Sequence, residues 1–329
     1  MPDVLRYAAV TGVVAAGGCL LAGRAVIPLL ARAQCVAPSR YHDCPPLHAY
    51  QAGKPRVPTM GGLFVLGAGV LAAALSGGLA APSGWIVLGA TAAFGAIGGL
   101  DDWLKVRDAN AVGVRMLPKL VWALAAGALV GWASGALAGE AAVIPWTGRT
   151  LLLGALWIPC AAVVLAGSAH AVNLTDGMDG LAAGCLAIAF TALGIWVAVR
   201  GPQHQALVGW CAALAGACLA FLWFNSFPAA VYLGDTGALG LGAALGAISV
   251  IAQAGVWLPI IGAVFVAEAG SVMLQVASYK WRGQRRIFRV APLHHHVHLG
   301  GMSEPKVIIR FWLAGAAAAA IGLTAVVSP

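Results

Sequence analysis

Apolar positions along this chain form long continuous runs rather than the narrow helical stripes or strict alternation of a water-soluble fold. Ten runs of membrane-spanning length, about 17–25 residues, stand at roughly 4–30, 59–81, 84–100, 118–138, 150–171, 180–199, 205–224, 236–253, 256–279 and 307–327. The pattern predicts an all-α polytopic membrane protein of about ten transmembrane helices. The longest connections, about 31–58 and 280–306, are too short for a soluble domain, so residues 1–329 read as one integral-membrane domain. The run at 1–30 is followed by ARAQ, which has the look of a signal cleavage site. It is longer than a signal's apolar core and has Arg24, Arg32 and Arg40 as anchors, so it reads as a first span.

Composition supports this reading. The chain is 61% hydrophobic and 9% charged, with mean hydropathy +0.89, whereas soluble domains run near 25% charged. The net charge of +8 is a matter of topology and not of nucleic-acid binding. Loops 31–58, 101–119 and 278–310 carry 15 of the 19 Lys and Arg, on alternate loops of the bundle. By the positive-inside rule these loops are cytoplasmic, which puts both termini outside. The seven cysteines (19, 35, 44, 160, 185, 211, 218) show no metal-type spacing and read as small buried hydrophobes.

Polar chemistry gathers on the inward loops. Five of the eleven acidic residues lie in GGLDDWLK (Asp101, Asp102), NLTDGMDG (Asp176, Asp179) and YLGDTG (Asp235). Each carboxylate would cost about 2.5–3.5 kcal/mol at a bilayer centre, so these groups need interfacial placement and partners. Asp101 and Lys105 are spaced for an i,i+4 ion pair, which leaves Asp102 unexplained, and an adjacent carboxylate pair suits a divalent cation. Lys119 reads either as a snorkelling lysine or as a phosphate contact. Lys54, Arg56 and Thr59 precede Gly61 and Gly62 and read as a membrane anchor with a turn, or as a phosphate contact at a helix start.

Asn173, Thr175, Asp176, Asp179 and Gly180 supply more polar groups than a turn requires. Asn225, Tyr232 and Asp235 follow in the next inward loop. The last loop joins a basic amphipathic segment, suited to anionic headgroups, to His294, His295, His296 and His298. No Cys or Glu stands at a supporting spacing for zinc, so contact with phosphate or orientation of a cation-bound substrate fits these histidines better. Hard oxygen donors, lysines and histidines from several loops form the equipment of Mg²⁺-assisted phosphoryl transfer, and the absence of GxxxxGK[ST] argues against a P-loop.

The strings PTMGG, DDWLK, NLTDGMDGLA, FLWFNSFPAAVYLGDTG and APLHHH, in this order, closely resemble the phospho-N-acetylmuramoyl-pentapeptide transferase (MraY) family over residues 54–310. The resemblance implies transfer of phospho-MurNAc-pentapeptide from UDP-MurNAc-pentapeptide to undecaprenyl phosphate, with Mg²⁺, giving lipid I and UMP at the bacterial cytoplasmic (inner) membrane. It implies Asp101 and Asp102 as the essential pair, with Asp101 taking the proton of the lipid phosphate. Asp235 becomes the principal Mg²⁺ ligand, with Asp101 and Asp102 beside it. Lys54, Thr59, Asn173, Thr175, Asp176, Asp179, Gly180, Asn225, Tyr232 and Gln275 fall on the substrate side. Lys105, Lys119, His294, His295 and His296 fall at further positions required for activity. Membrane lipids and a second copy of the chain are further expected partners.

This chain departs from the family at Val57, Ala238 and His298, the last standing where an acidic residue is usual after HHH. A related polyprenyl-phosphate GlcNAc-1-phosphate transferase would carry an IDG string and a broken histidine run. A transporter would place its carboxylates near the midplane on discontinuous helices.

Overall fold

The structure is a computed structural model that describes residues 2–36, 45–54, 56–108 and 113–327. Helices α1 (Pro2–Arg32), α2 (Pro45–Ala52), α3 (Gly62–Leu75), α4 (Pro82–Arg107) and α5 (Met116–Ala138) lead to a short antiparallel pair, β1 (Ala141–Val143) and β2 (Thr150–Leu152). Then follow α6 (Trp157–Thr175), α7 (Leu181–Val199), α8 (Gln205–Asn225), α9 (Gly234–Ile251), α10 (Leu258–Ile261), α11 (Ala263–Trp281), α12 (Leu293–His298) and α13 (Glu304–Val327). The fold is the all-α polytopic bundle that the apolar runs predict, and the chain is a multi-pass membrane protein.

Among the described residues, eight helices are long and apolar enough to cross a membrane. Three of the ten predicted spans differ in detail. The second shrinks to the 14 residues of α3, because the chain turns at Ser76 and Gly77. The fifth starts only at Trp157, since 150–152 pair as β2 with β1. The ninth is broken at Gly262 into α10 and α11, and α11 carries Glu268, Gln275 and Lys280, which dilute its apolar character. The cysteine reading also needs correction at Cys160, which is exposed, while Cys35 is half-buried. Cys44 and Arg40 lie outside the described residues.

Burial is graded across the bundle. Every residue of α9 is buried, and this helix packs chiefly against α4 and α6. At the periphery, α1, α5 and α13 expose Leu21, Trp132 and Leu313, as lipid-facing surfaces require. Small residues permit the tight centre. At Gly98 on α4, an added Cβ would overlap the backbone of Asp235, so only glycine lets α4 lie against the start of α9. That contact sets Asp101 and Asp102, one turn further on, beside Asp235.

Candidate active site

Helices α4, α5 and α9 bring four charged side chains together at one end of the bundle, with Asn173 of α6 beside them. Lys105 pairs with Asp101 in the predicted i,i+4 geometry, and its Nζ also lies 3.1 Å from Asp235 Oδ2. Lys119 reaches the same two carboxylates, at 2.9 Å from Asp101 Oδ2 and 3.0 Å from Asp235 Oδ2. Asn173 donates from Nδ2 to Asp235 Oδ1 at 3.0 Å, and the Val114 amide donates to Asp101 Oδ1. Two buried carboxylates therefore share two ammonium groups, which balances their charge and satisfies the demand that burial imposes.

Asp102 has a different task. Its carboxylate accepts from the Asp235 amide (3.1 Å), the Thr236 amide (2.9 Å) and Thr236 Oγ1 (2.7 Å). It serves from α4 as the capping acceptor that the first turn of α9 lacks within its own strand of sequence. This bonding points Asp102 at the backbone that carries Asp235 rather than at the two lysines.

A second group forms around Lys54. Its Nζ lies 2.9 Å from Asp179 Oδ1 and 2.7 Å from Glu304 Oε1, over the rings of Tyr50 and Phe227 at 5.2 and 5.8 Å. Burial lowers the Lys54 pKa, with Asp179 acting in the opposite sense. Asp179 Oδ2 accepts from the Ala229 amide at 3.0 Å. Asn225 bridges two strings, accepting from the Gly180 amide at 3.0 Å and donating to Val231 O at 2.8 Å. Tyr232 is tied by its amide to Pro58 O at 2.8 Å. Burial, then Asp179 and Asp176, push its phenol up to about 12, so the ring stays neutral.

The histidines divide. His294 and His295 are buried with ring centroids 4.1 Å apart. Burial holds His294 down to about 3 and His295 to about 2, with His298 and neighbouring cations adding to the effect, so both imidazoles are neutral. An added Cβ at Gly177 would run into His294 Nε2, which places this ring against the Asn173–Gly180 loop. His296 turns away, accepting from the Arg289 amide at 3.1 Å. His298 Nδ1 sits 2.8 Å from Met302 O, its ring 4.4 Å from Tyr50.

Not every sequence-predicted residue points inward. Thr175 Oγ1 donates to Ala171 O within its own helix at 2.8 Å. Gln275 is bound to loop backbone, accepting from the Ile287 and Phe288 amides and donating to Phe288 O. Thr59 is buried beside Gly234 and anchored by its amide to Cys35 O. Asp176 closes α6. Three residues outside the predicted site set join the site. Glu304 accepts from Lys54 and from the Asp179 amide. Glu268 meets His294. His170, one turn before Asn173, interacts electrostatically with Lys119 and Asp235. Glu268 had a usable signal, being an acid inside an apolar run.

Residues Asn173–Gly180 are thus the hub: Asn173 meets Asp235, Gly177 meets His294, and Asp179 meets Lys54. Among the described residues, no group of three or more His, Cys, Asp or Glu stands ready to hold a metal alone. The carboxylate pair Asp101 and Asp235 offers hard oxygen donors of the kind that bind a cation jointly with a substrate's phosphates.

Glycosyl transferase family 4 matches residues 84–253, which is 170 of the 329 residues and covers the DDWLK, NLTDGMDG and GDTG strings. The chain belongs to glycosyl transferase family 4. It is a polyprenyl-phosphate sugar-1-phosphate transferase, and the matched stretch contains both carboxylates and both lysines of the central cluster. Lys54 and His294 lie outside that stretch and fold onto it at Asp179 and Gly177, whereas Gln275, also outside, bonds to backbone beyond it.

Proposed function

We propose that this family member transfers phospho-MurNAc-pentapeptide from UDP-MurNAc-pentapeptide to undecaprenyl phosphate, releasing UMP and forming lipid I for peptidoglycan synthesis. The single observation that supports this most is the convergence on one loop of a diphosphate-type cation cluster, a Lys54 pocket with aromatic walls, and neutral histidines. The basic loops that carry these groups argue for a cytoplasmic-facing site, reachable both by a soluble nucleotide and by a lipid headgroup.

In this reading an oxygen of the lipid phosphate attacks the β-phosphorus, and the bond from that phosphorus to the α-phosphate oxygen breaks to release UMP. Asp101 takes the proton of the attacking phosphate. Lys105 and Lys119, balanced by carboxylates in the free protein, turn part of their charge to the diphosphate as it enters. Asp235 and Asp101 would hold Mg²⁺, which supplies Lewis-acid stabilisation of the phosphoryl charge. Lys54 with Asp179 holds the nucleotide end, where neutral Tyr232 and Phe227 offer ring faces for stacking on uracil.

Purified protein with UDP-MurNAc-pentapeptide, undecaprenyl phosphate and Mg²⁺ is expected to release UMP, and chelation of Mg²⁺ should stop release until the ion is restored. Turnover of UDP-GlcNAc with none of the muramoyl substrate would instead assign the sibling GlcNAc-1-phosphate activity. For the nucleotide pocket, Lys54→Met should raise KM for the nucleotide sugar by about tenfold, the worth of one charge-assisted hydrogen bond, with a smaller change in kcat. Unchanged KM would remove Lys54 from substrate binding.

A further inference from the structure

Helix α11 reaches the segment before α12 at three heights along one face. Ser278 Oγ donates to Arg285 O at 2.9 Å, Gln275 holds Ile287 and Phe288, and Glu268 meets the start of α12. Glu268 is the deepest of the three and fully buried, as is His294. Its Oε2 lies 3.1 Å from His294 Nδ1, and its Oε1 accepts the His294 amide at 3.1 Å. The Leu293 amide also donates to this carboxylate. Both ring nitrogens of His294 are buried: Nδ1 meets Glu268 by distance and not in hydrogen-bond geometry, while Nε2 has no hydrogen-bond partner and faces Gly177.

We infer that Glu268 is a positioning residue that keeps a proton on His294 Nδ1 and turns the bare Nε2 lone pair toward the Asn173–Gly180 loop, making His294 a hydrogen-bond acceptor for an O–H or N–H group of a substrate. The hydrogen bonds that the carboxylate accepts come from backbone amides, and with Nδ1 3.1 Å away it stands as an acceptor beside the second ring nitrogen, an arrangement that sets a histidine's tautomer. A neutral imidazole has one lone pair, and a proton on Nδ1 leaves that pair on Nε2. His294 then contributes by accepting rather than by neutralising phosphate, which revises the expectation drawn from the HHH string. The acid that meets a histidine here comes from α11, not from position 298. The inference rests on the proposed transferase reading for its substrate, and on geometry alone for the tautomer.

Glu268→Gln separates these roles. Glutamine keeps the shape but has one acceptor and one donor, so it satisfies the His294 amide and Nδ1 together only if the ring proton moves to Nε2. Nitrogen-15 NMR of histidine-labelled full-length protein in lipid bilayers, with His294 assigned by the signal lost in His294→Gln, should show protonated Nδ1 in the wild type. Glu268→Gln should shift the proton to Nε2. In steady-state UMP release, Glu268→Gln should lower kcat by about 10- to 100-fold with KM changed less than threefold, and should cost nothing further in a His294→Gln background.

A wild-type His294 protonated at Nε2 overturns the inference, as does an additive loss in the double variant. If Glu268→Gln fails to fold, the wild-type spectrum still decides the tautomer. If the wild-type protein releases no UMP, the transferase reading fails while the spectrum judges the positioning role by itself.

Discussion

Asp235→Asn is expected to lower UMP release by about 10³-fold or more while the helical circular dichroism stays that of the wild type. Asp235 touches Lys105, Lys119 and Asn173 at once, so losing its charge unbalances the whole cluster. Asparagine fills the same space and keeps an oxygen toward Asn173. The two lysines would then share Asp101 alone, and the proposed cation would lose one of its two protein carboxylates. Turnover within tenfold of the wild type would place Asp235 outside the chemistry.

Asp102→Ala is expected to remove activity by a different route, through stability. The substitution strips three hydrogen bonds from the first turn of α9 and leaves the Asp235 and Thr236 amides buried without acceptors. A hydrogen bond to a charged group contributes about 1.5–3 kcal/mol, and an orphaned buried donor costs a similar amount, so a loss of about 3 kcal/mol is expected. Thermal unfolding in detergent should shift downward by several degrees. Asp101→Asn should abolish turnover with a smaller thermal shift, since Asp235 still pairs with both lysines and asparagine keeps an oxygen for the Val114 amide. Equal thermal behaviour of Asp102→Ala and Asp101→Asn would contradict the division of labour between adjacent carboxylates.

Much of the architecture was legible because a bilayer imposes a simple code in which apolar length reads as span. The misread elements are those in which local chemistry interrupts that code. Gly77 turns the chain after α3, a short hairpin shortens the start of α6, and the break at Gly262 divides the ninth run. Hydropathy averages across such interruptions and cannot register them. At the site, the Asp101–Lys105 pair was readable from its spacing because both residues share one helix. Lys54 with Glu304, separated by 250 positions, left no local trace.

The sequence by itself determined the all-α bundle, the gathering of polar chemistry on alternate loops and the strings that mark a sugar-1-phosphate transferase, because these depend on composition and short-range order. Tertiary structure alone decided that Asp102 caps α9, that Gln275 and Thr175 spend their hydrogen bonds on backbone, and that Glu268 meets His294. A buried polar group announces in sequence that it needs a partner. Only packing decides which helix supplies one, because that choice depends on how closely the backbones approach, as α4 approaches α9 at Gly98.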